Sequence, residues 1–343
     1  MIMPSKIRDH GGILILATML LLLLLLAVSG CTVPQAASTS PVPILFDSDM
    51  NTDCDDVAAL AILHALADLG EARILATGAS SKNEESALCI DALNTWYGRP
   101  ELPVGVPKGP GTTEPSKYAK EIARRYPHRL ESAEKAPDAA RLYRDAMLKE
   151  ADHSVVLVTV GYLTNVAALL ALPAEGDVPS GLETVKRKTR LWACMGGNFV
   201  GDPPRDNLKL GNVNFTREKA GALAAITGWP APLVFVGREI GSVPSGLQIG
   251  ARLKEHPVRV AYSLWFGGAP GDRHVADPTT VLFAVRGLGT RWTLQDKGAM
   301  DLHPDLTFEW RMDRVSTQAY LLKRPGTDHA IERELEDLLT RKR

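Results

Sequence analysis

Short, continuous apolar runs alternate with longer amphipathic segments from about residue 43 onward, and this alternation restricts the fold more than any other feature. Apolar runs of this kind indicate strands buried on both faces, and helices between them supply the crossovers that parallel strands require. The predicted strands are 44–46, 73–77, 155–160, 191–195 and 233–236, and the predicted helices are 56–68, 84–96, 138–150, 164–172 and 217–227. This order predicts an α/β fold with a mostly parallel, doubly wound, Rossmann-like sheet and flanking helices.

The last part of the chain has a different pattern. Residues 307–311 and 318–322 are predicted to form an antiparallel pair, a small addition to the sheet, and a helix follows from about Asp328. No linker interrupts the chain after residue 43, so we expect a single domain over 43–343. In doubly wound sheets, ligands bind beyond the carboxyl ends of the strands, and functional residues are expected there.

The amino terminus has the pattern of a secretory signal. Lys6 and Arg8 form a short basic region, residues 13–28 are almost entirely apolar, and the sequence VSGC that ends at Cys31 resembles a bacterial lipobox. The alternative is an uncleaved membrane anchor, but the apolar stretch is at the short end of the length that a membrane-spanning helix needs. We therefore expect a lipidated Cys31 that anchors the protein to a membrane of the bacterial cell envelope, outside the cytoplasm. The predicted signal peptide, tether and domain are 1–30, 31–42 and 43–343.

The overall charge is close to balanced. The chain has 39 Lys and Arg against 40 Asp and Glu, a formal net charge of −1. Without a surplus of basic residues there is no electrostatic basis for nucleic acid as the main partner, and we predict none.

The segment after the first predicted strand concentrates negative charge. Five aspartates lie between this apolar strand and a helix rich in Ala and Leu: Asp47, Asp49, Asp53, Asp55 and Asp56. One carboxylate near the helix start could cap the helix. So many acids in a short turn repel one another unless a cation or hydrogen-bond donors compensate their charge. A hard, oxygen-preferring ion such as Ca²⁺ meets that requirement.

Two known arrangements account for only part of this segment. Read from Asp47, an EF-hand loop matches the alternating oxygen positions, but Thr52 stands where the turn glycine belongs and Ala58 where the bidentate glutamate belongs. A phosphatase of the haloacid dehalogenase type also begins with a strand followed by DxD, here Asp47 and Asp49. That interpretation leaves the acidic pair at 55–56 unexplained.

A third pattern accounts for the whole segment and for later ones. Residues 47–56 resemble the amino-terminal DxDxxxDD signature of the inosine-uridine-preferring nucleoside hydrolase family, in the longer form DxDxxxDxDD. Four further segments resemble motifs of that family in the same order: VGYLTNVA at 160–167, MGG at 195–197, NVNF at 212–215 and ADP at 276–278. The resemblance extends from about residue 43 to the end of the chain. It implies the family's α/β fold and the hydrolysis of N-glycosidic bonds.

The resemblance also implies roles for individual residues. The groups that would hold one Ca²⁺ are Asp49, Asp56, Asp277 and the backbone carbonyl of Val160. Asp49 would also act as catalytic base toward the attacking water, while Asp47 would order the loop. The residues that would bind the riboside are Asp55, Met195, Asn212 and Asn214. Thr164 and Asn165 are expected to cap the following helix rather than contact substrate. Because members of the family are homodimers or homotetramers, the resemblance implies self-association.

Three positions depart from the family pattern. After Thr77 and Gly78 the family often has an asparagine that binds the ribose side, whereas this chain continues with the residues at 79–81, Ala-Ser-Ser. Asn212 stands where the family carries a glutamate that contacts the far end of the ribose, which puts recognition of the 5′-hydroxyl in question. Ala276 stands where some members carry a histidine that protonates the leaving base; His274 is two residues away, an offset that predicts it points elsewhere. Trp265 and Phe266 have two interpretations, stacking on a leaving base or packing in the core.

These observations predict a lipid-anchored, Ca²⁺-dependent hydrolase that splits a nucleoside or related riboside into base and ribose. An alternative of another class is a metal-dependent lipoprotein that binds ribosides with little catalysis. The phosphatase is the third and least supported interpretation.

Overall fold

The apolar runs fold into strands whose carboxyl ends share one edge of a sheet. The computed structural model describes residues 40–51, 53–199, 205–206 and 212–341. Their strands are β1 Val42–Ser48, β2 Ala72–Ala79, β3 Val104–Gly105, β4 Val155–Thr159, β5 Thr189–Met195, β6 Arg205–Asp206, β7 Leu233–Val236, β8 Pro244–Ser245, β9 Arg273–His274, β10 Trp292–Gln295, β11 Ala299–Leu302, β12 Phe308–Arg311 and β13 Gln318–Lys323.

Helices connect most of these strands. They are α1 Asp55–Asp68, α2 Glu84–Trp96, α3 Ala119–Arg125, α4 Ala139–Leu148, α5 Thr164–Ala171, α6 Gly181–Lys188, α7 Val213–Thr216, α8 Lys219–Gly228, α9 Leu247–Arg252, α10 Pro257–Phe266, α11 Ala276–Arg286 and α12 Asp328–Leu339. Short 3₁₀ helices lie at Ala133–Lys135 and Arg238–Gly241.

Eight strands form the central sheet, in the order β10-β13-β7-β5-β4-β1-β2-β3. Neighbouring strands are parallel, except that β10 runs antiparallel to β13 at one edge. Strands β11, β12 and β6 form a small antiparallel sheet, and β8 pairs with β9. The predicted single α/β domain with a mostly parallel, doubly wound sheet and a small antiparallel part is therefore confirmed.

The predicted antiparallel pair near the carboxyl terminus is wrong. β13 runs parallel to β7 and antiparallel to β10 inside the central sheet, whereas β12 pairs with β11 and β6. The reason lies in their burial. Three consecutive residues of β13, 319–321, are buried, as expected of a strand covered on both faces, whereas β12 alternates between buried and half-buried residues. Proximity in sequence favoured a hairpin that the packing does not form.

Helices cover both faces of the sheet, with an apolar cluster on each side. Helix α1 is the most deeply buried, and its side chains Leu60, Ile62 and Leu63 have no exposed surface. Burying each of these contributes about 1.5–3 kcal/mol relative to leaving it in water. Small residues along α1 let α11 pack directly against it, on the same face. This packing brings together the amino-terminal turns of α1 and α11.

The predicted signal peptide, Cys31 and most of the predicted tether lie outside the described residues. Within the part of the chain that is described, no helix combines the length and apolar character needed to cross a bilayer.

Candidate active site

The turn between β1 and α1 carries the acidic segment that the sequence singles out. β1 is buried along its whole length and ends at Ser48, so that Asp49 opens the turn at the carboxyl edge of the sheet. Met50 has a φ of 52°, a left-handed conformation that costs a non-glycine residue roughly 1–3 kcal/mol and is concentrated at functional sites. The N-cap of α1 is Cys54, so Asp55 and Asp56 stand inside the first turn, and helix capping does not account for them.

Three carboxylates from the two ends of the domain meet at this edge. Asp55, Asp56 and Asp277 are all buried, and one carboxylate oxygen from each lies within 4.8 Å of the others. The backbone N–H of Asp277 donates to Oδ2 of Asp55 at 3.3 Å, which joins the first turns of α11 and α1. Oδ1 of Asp56 accepts hydrogen bonds from the Ser48 hydroxyl at 2.6 Å and the Met50 N–H at 3.3 Å. The cluster is thus built from residues 222 positions apart in the chain.

Burial and mutual repulsion disfavour negative charge in this cluster. Desolvation raises the pKa of Asp55, Asp56 and Asp277 well above the ordinary range, and neighbouring carboxylates raise all three further. Arg273 acts in the opposite direction on Asp55, but it does not offset the burial. Ionising carboxyl groups held so close together and away from water is unfavourable unless a cation compensates their charge.

A hard divalent cation fits this set of donors. Carboxylate and carbonyl oxygens are the ligands that Ca²⁺ and similar ions prefer, and the carbonyl-bearing residue Val160 lies at the same cavity as Asp55 and Asp277. The structure therefore supports a metal site, and the oxygen-only chemistry of these ligands favours a hard ion over Zn²⁺.

The other two predicted acids of the segment lie deeper. Asp49 is fully buried, its Oδ1 accepts the Asn51 N–H at 3.0 Å, and its charge contributes to the raised pKa of both Asp56 and Asp277. Asp49 is therefore close enough to the cluster to act on it electrostatically. The carboxylates that meet within 4.8 Å are those of Asp55, Asp56 and Asp277, so Asp55 stands in this group where Asp49 was expected.

Asp47 is held by a buried hydrogen-bond network. Its Oδ2 accepts from the Tyr143 hydroxyl at 2.5 Å and from Nδ2 of Asn165 at 2.7 Å. Burial raises the pKa of Asp47 to about 7, against the opposing effect of these hydrogen bonds. Asn165 also donates to the Ala79 carbonyl at 2.9 Å, and the N-cap of α5 is Leu163; the expectation that Asn165 caps α5 is therefore wrong. Asn165 instead ties β2 to the end of β1.

The opposite wall of the cavity is made by amides and backbone carbonyls. Nδ2 of Asn214 donates to the carbonyls of Val160 at 3.1 Å and Met195 at 3.2 Å, which joins the ends of β4 and β5. Asn212 is the N-cap of α7, where its side-chain oxygen accepts the Asn214 N–H at 2.9 Å. All four residues line the cavity, as do Asp55 and Asp277. The predicted substrate-binding residues thus share one cavity.

This cavity has a volume of about 200 Å³. Besides the residues above, it is lined by residues that the sequence did not single out as site residues: Asp53, Val213, Arg238, Arg273, His274 and Ala276. We call the carboxylates Asp49, Asp55, Asp56 and Asp277, of which Asp55 and Asp277 line the cavity, the acidic side. We call the lining residues Asn212, Arg238, Arg273 and His274 the cationic side.

The prediction that His274 points away from the site is wrong. β9 pairs antiparallel with β8, and this pairing turns His274 into the cavity wall, where its Nε2 lies 2.7 Å from the Arg238 carbonyl. Desolvation lowers the pKa of His274. Arg238 could have been found from the sequence, because it follows a predicted strand by two residues. Strands as short as β8 and β9 leave no periodic signal.

Trp265 lies behind the cationic side. Nζ of Lys117 is 4.3 Å from the Trp265 ring centroid, and the Arg273 guanidinium carbon is 5.3 Å from it. The ring is half-buried and does not line the cavity, whereas Phe266 is 43% exposed. Trp265 thus contacts cations of the protein itself and also packs against the apolar core, as the second interpretation predicts.

Fold and site together define an α/β protein with a buried carboxylate cavity at the carboxyl edge of a parallel sheet. No protein-family model matches the sequence, and no curated protein matches it either. Solved structures do match the fold. An inosine-uridine-preferring nucleoside hydrolase from Bacillus anthracis aligns with 87% of this chain and 99% of its own, with a TM-score of 0.59 at 12% identity.

Two further structures show the same likeness. The plant nucleoside hydrolase PpNRh1 aligns with 88% of this chain and 100% of its own (TM-score 0.62, 15% identity). The type III effector XopQ, solved in complex with adenosine diphosphate ribose, aligns with 88% of this chain and 94% of its own (TM-score 0.60, 16% identity). This chain therefore has the fold of the nucleoside hydrolases, and the resemblance predicted from its motifs is confirmed at that level.

Proposed function

We propose that this protein hydrolyses the N-glycosidic bond of a nucleoside or related riboside, with Ca²⁺ bound, and releases the base and ribose. One observation carries the proposal: Asp277, in the first turn of α11, meets Asp55 and Asp56 in the first turn of α1. The packing of a fold alone does not require three carboxyl groups whose burial raises their pKa values to meet at one point. A cavity that also presents amides and backbone carbonyls suits a polyhydroxylated sugar, and the nucleoside hydrolases share this fold.

Each residue has a separate task in this proposal. Asp49, Asp56, Asp277 and the carbonyl of Val160 would hold the cation, and Asp55 and Asn214 would bind hydroxyls of the ribose. When bound, Ca²⁺ would supply the positive charge that lowers the pKa of a coordinated water. Asp49 would accept the proton of the attacking water as general base.

The protein must also stabilise positive charge that develops on the sugar. Cleavage of a glycosidic bond passes through an oxocarbenium-like state, and a nearby carboxylate such as Asp55 stabilises it. The enclosed volume of about 200 Å³ is below the ~300–1,000 Å³ of pockets that surround whole ligands, so it suits the sugar, with the base toward the opening.

A nucleoside panel tests the proposal directly. Purified mature protein is incubated with inosine, uridine, adenosine and cytidine, with Ca²⁺ or with chelator, and released reducing sugar is measured. We expect sugar release that chelator and Asp49→Ala both abolish, while the exposed control Asp296→Asn retains full activity. Absence of release from all four nucleosides in Ca²⁺ would contradict the proposal.

The same experiment separates the alternatives. Ribose affinity without turnover would support a riboside-binding protein. Ala276 at the cavity gives a reason to measure it, because its side chain cannot protonate a leaving base. A phosphatase would need an accessible aspartate nucleophile, whereas Asp47 is fully buried and bonded to Tyr143 and Asn165. Phosphate release from simple phosphomonoesters would revive that interpretation.

We also propose that Cys31 carries lipid and anchors the domain to the bacterial cell envelope, outside the cytoplasm. The lipobox-like sequence that ends at Cys31 supports it. Metabolic labelling with a fatty-acid analogue should mark the full chain, and Cys31→Ser should abolish the label. The resemblance also implies self-association as a homodimer or homotetramer. The molar mass of the mature domain in solution, measured by light scattering, tests this expectation.

A further inference from the structure

The cavity has opposite charges on its two sides. Carboxylates occupy the acidic side, whereas the cationic side presents two guanidinium groups, Arg238 and Arg273, next to the neutral amide of Asn212. A sugar alone has no charge that would use these arginines. Their position at a cavity built for a small polar molecule indicates a ligand that carries negative charge.

Arg238 is the cation available to such a ligand. It is exposed, and within the described part of the chain no carboxylate forms an ion pair with it. Its position is nevertheless fixed: its N–H donates to the Gly197 carbonyl at 3.0 Å, and its carbonyl lies 2.7 Å from Nε2 of His274. His274 thus anchors the backbone of Arg238 at the cavity wall while the guanidinium stays accessible.

Arg238 lies on the wall shared with Met195 and Asn212. It follows β7, whose last residue Val236 is in register with Met195 of β5. Nδ2 of Asn212 is 3.6 Å from the Met195 sulfur, so the amide lies on the same wall. An amide in this position does not repel an anion, as a carboxylate would.

Arg273 is partly committed elsewhere. Its Nε donates to Oδ1 of Asp53 at 2.8 Å, and a second bond joins the other carboxylate oxygen. Asp53 also lines the cavity. The ion pair orients Arg273, and the negative charge of Asp53 and the positive charge of Arg273 cancel in the net charge of the cavity wall. The excess positive charge on this side therefore belongs to Arg238.

We propose that the cationic side binds a phosphate group on the sugar, so that the substrate is a phosphorylated riboside, a nucleotide rather than a nucleoside. Phosphate is the class favoured, because guanidinium groups bind its oxygens in a bidentate fork and it is the usual anionic substituent of a ribose. The proposal rests on the proposed hydrolysis and leaves that chemistry unchanged. The water oxygen bonds to C1′, the C1′–N bond breaks, the departing base takes up a proton, and the phosphoester stays intact. The products are a free base and ribose 5-phosphate.

Binding and turnover are measured on the same proteins. Calorimetry with Ca²⁺ present compares ribose 5-phosphate with ribose, and base release compares inosine 5′-monophosphate with inosine. We expect at least tenfold tighter binding of ribose 5-phosphate and at least tenfold higher kcat/KM for the nucleotide. Arg238→Gln should lower both ratios about tenfold. Arg333→Gln, which removes one charge from an exposed position on α12, should leave both ratios unchanged.

The outcomes distinguish this inference from the proposed function. Equal affinity for ribose and ribose 5-phosphate, or ratios that Arg238→Gln does not change, would overturn the phosphate site even if nucleosides are hydrolysed. A strong preference for ribose 5-phosphate that Arg238→Gln removes supports the phosphate site. If that preference stands but no base is released from any compound, the hydrolase is refuted and the phosphate site remains. Inorganic phosphate that binds as tightly as ribose 5-phosphate would also overturn the proposed site for a phosphorylated sugar, since the sugar would then contribute nothing to the affinity.

Discussion

The two sides of the cavity are built from different kinds of structure. The acidic side lies at the ends of β1, α1 and α11, elements of 7, 14 and 11 residues that are buried in the core. The cationic side lies at α7, β9 and a 3₁₀ helix, elements of two to four residues. Arg238 is exposed and Arg273 and His274 are half-buried, whereas Asn212, the N-cap of α7, is buried. Long packed elements fix a geometry closely, whereas short surface elements tolerate change. We infer that the acidic side sets the reaction and the cationic side sets the substrate.

Removing a carboxylate from the acidic side should have the largest effect. Asp277→Asn keeps the backbone N–H that donates to Asp55 but removes one of three clustered charges. We expect kcat/KM to fall more than about 100-fold, beyond the range seen when only an outer partner of a metal ligand is lost.

Stability should change in the opposite direction in the same variant. In chelator, Asp277→Asn should melt at a higher temperature than the native chain, because burial and the neighbouring carboxylates disfavour the charge of Asp277 and the amide has none. With Ca²⁺ the native chain should gain more than the variant. A melting temperature in chelator below that of the native chain would mean that the cluster does not store repulsion. Asp296→Asn serves as the exposed control.

The pH dependence of the metal-free protein should show the cost of burying ionised carboxylates. Asp47 has a pKa of about 7 in the folded protein, above its unfolded value of 3.8. Between about pH 4 and 7 the folded state therefore binds more protons than the unfolded state, and stability falls as pH rises through this window. At roughly 1.4 kcal/mol per pKa unit, the change for Asp47 alone is at most about 4 kcal/mol.

Denaturant unfolding in chelator at pH 4.5, 5.5, 6.5 and 7.5 measures this slope. The raised pKa values of Asp55, Asp56 and Asp277 act in the same direction. Saturating Ca²⁺ should flatten or reverse the slope, since the cation binds the ionised carboxylates. A stability that rises with pH in chelator would contradict the assignment.

A close backbone contact holds the acidic side in place. A Cβ added at Gly161, after β4, would collide with the backbone nitrogen of Asp49 and the Ser80 hydroxyl. Gly161→Ala should therefore cost about 1–3 kcal/mol of stability and lower activity, because the Asp49 loop must shift. Gly109→Ala is the matched control, with no atom within 4 Å of the added carbon. Equal stability of the two variants, measured by urea unfolding, would show that the loop has room to move.

The same contrast explains what the sequence could reveal. The end of β1, the first turn of α1 and the motif at 276–278 were found because long apolar runs give clear periodicity and the acids follow them directly. Arg273 and His274 were not, since a two-residue strand has no period and its pairing with β8 depends on tertiary contacts. The wrong prediction for the partner of β13 has the same cause. β13 pairs with β7 and β10 because it is buried on both faces, and a strand's partners in the core do not follow from proximity in sequence.

The smallest expected effect concerns Asn212, where capping and charge can be separated. Its side chain caps α7 by accepting the Asn214 N–H at 2.9 Å. Asn212→Ala loses this cap and should cost about 0.5–2 kcal/mol, whereas Asn212→Asp keeps an accepting oxygen and should stay close to the native stability. Thermal or urea unfolding of both variants measures the difference.

Ligand binding should rank these two variants in the reverse order. Asn212→Asp places a carboxylate on the wall that carries Arg238, so it should weaken binding of ribose 5-phosphate more than Asn212→Ala does, although it is the more stable protein. Binding of uncharged ribose should not discriminate in this way. If both ligands instead follow stability, Asn212 acts only by holding α7, and the charge of the cationic side has no part in choosing the substrate.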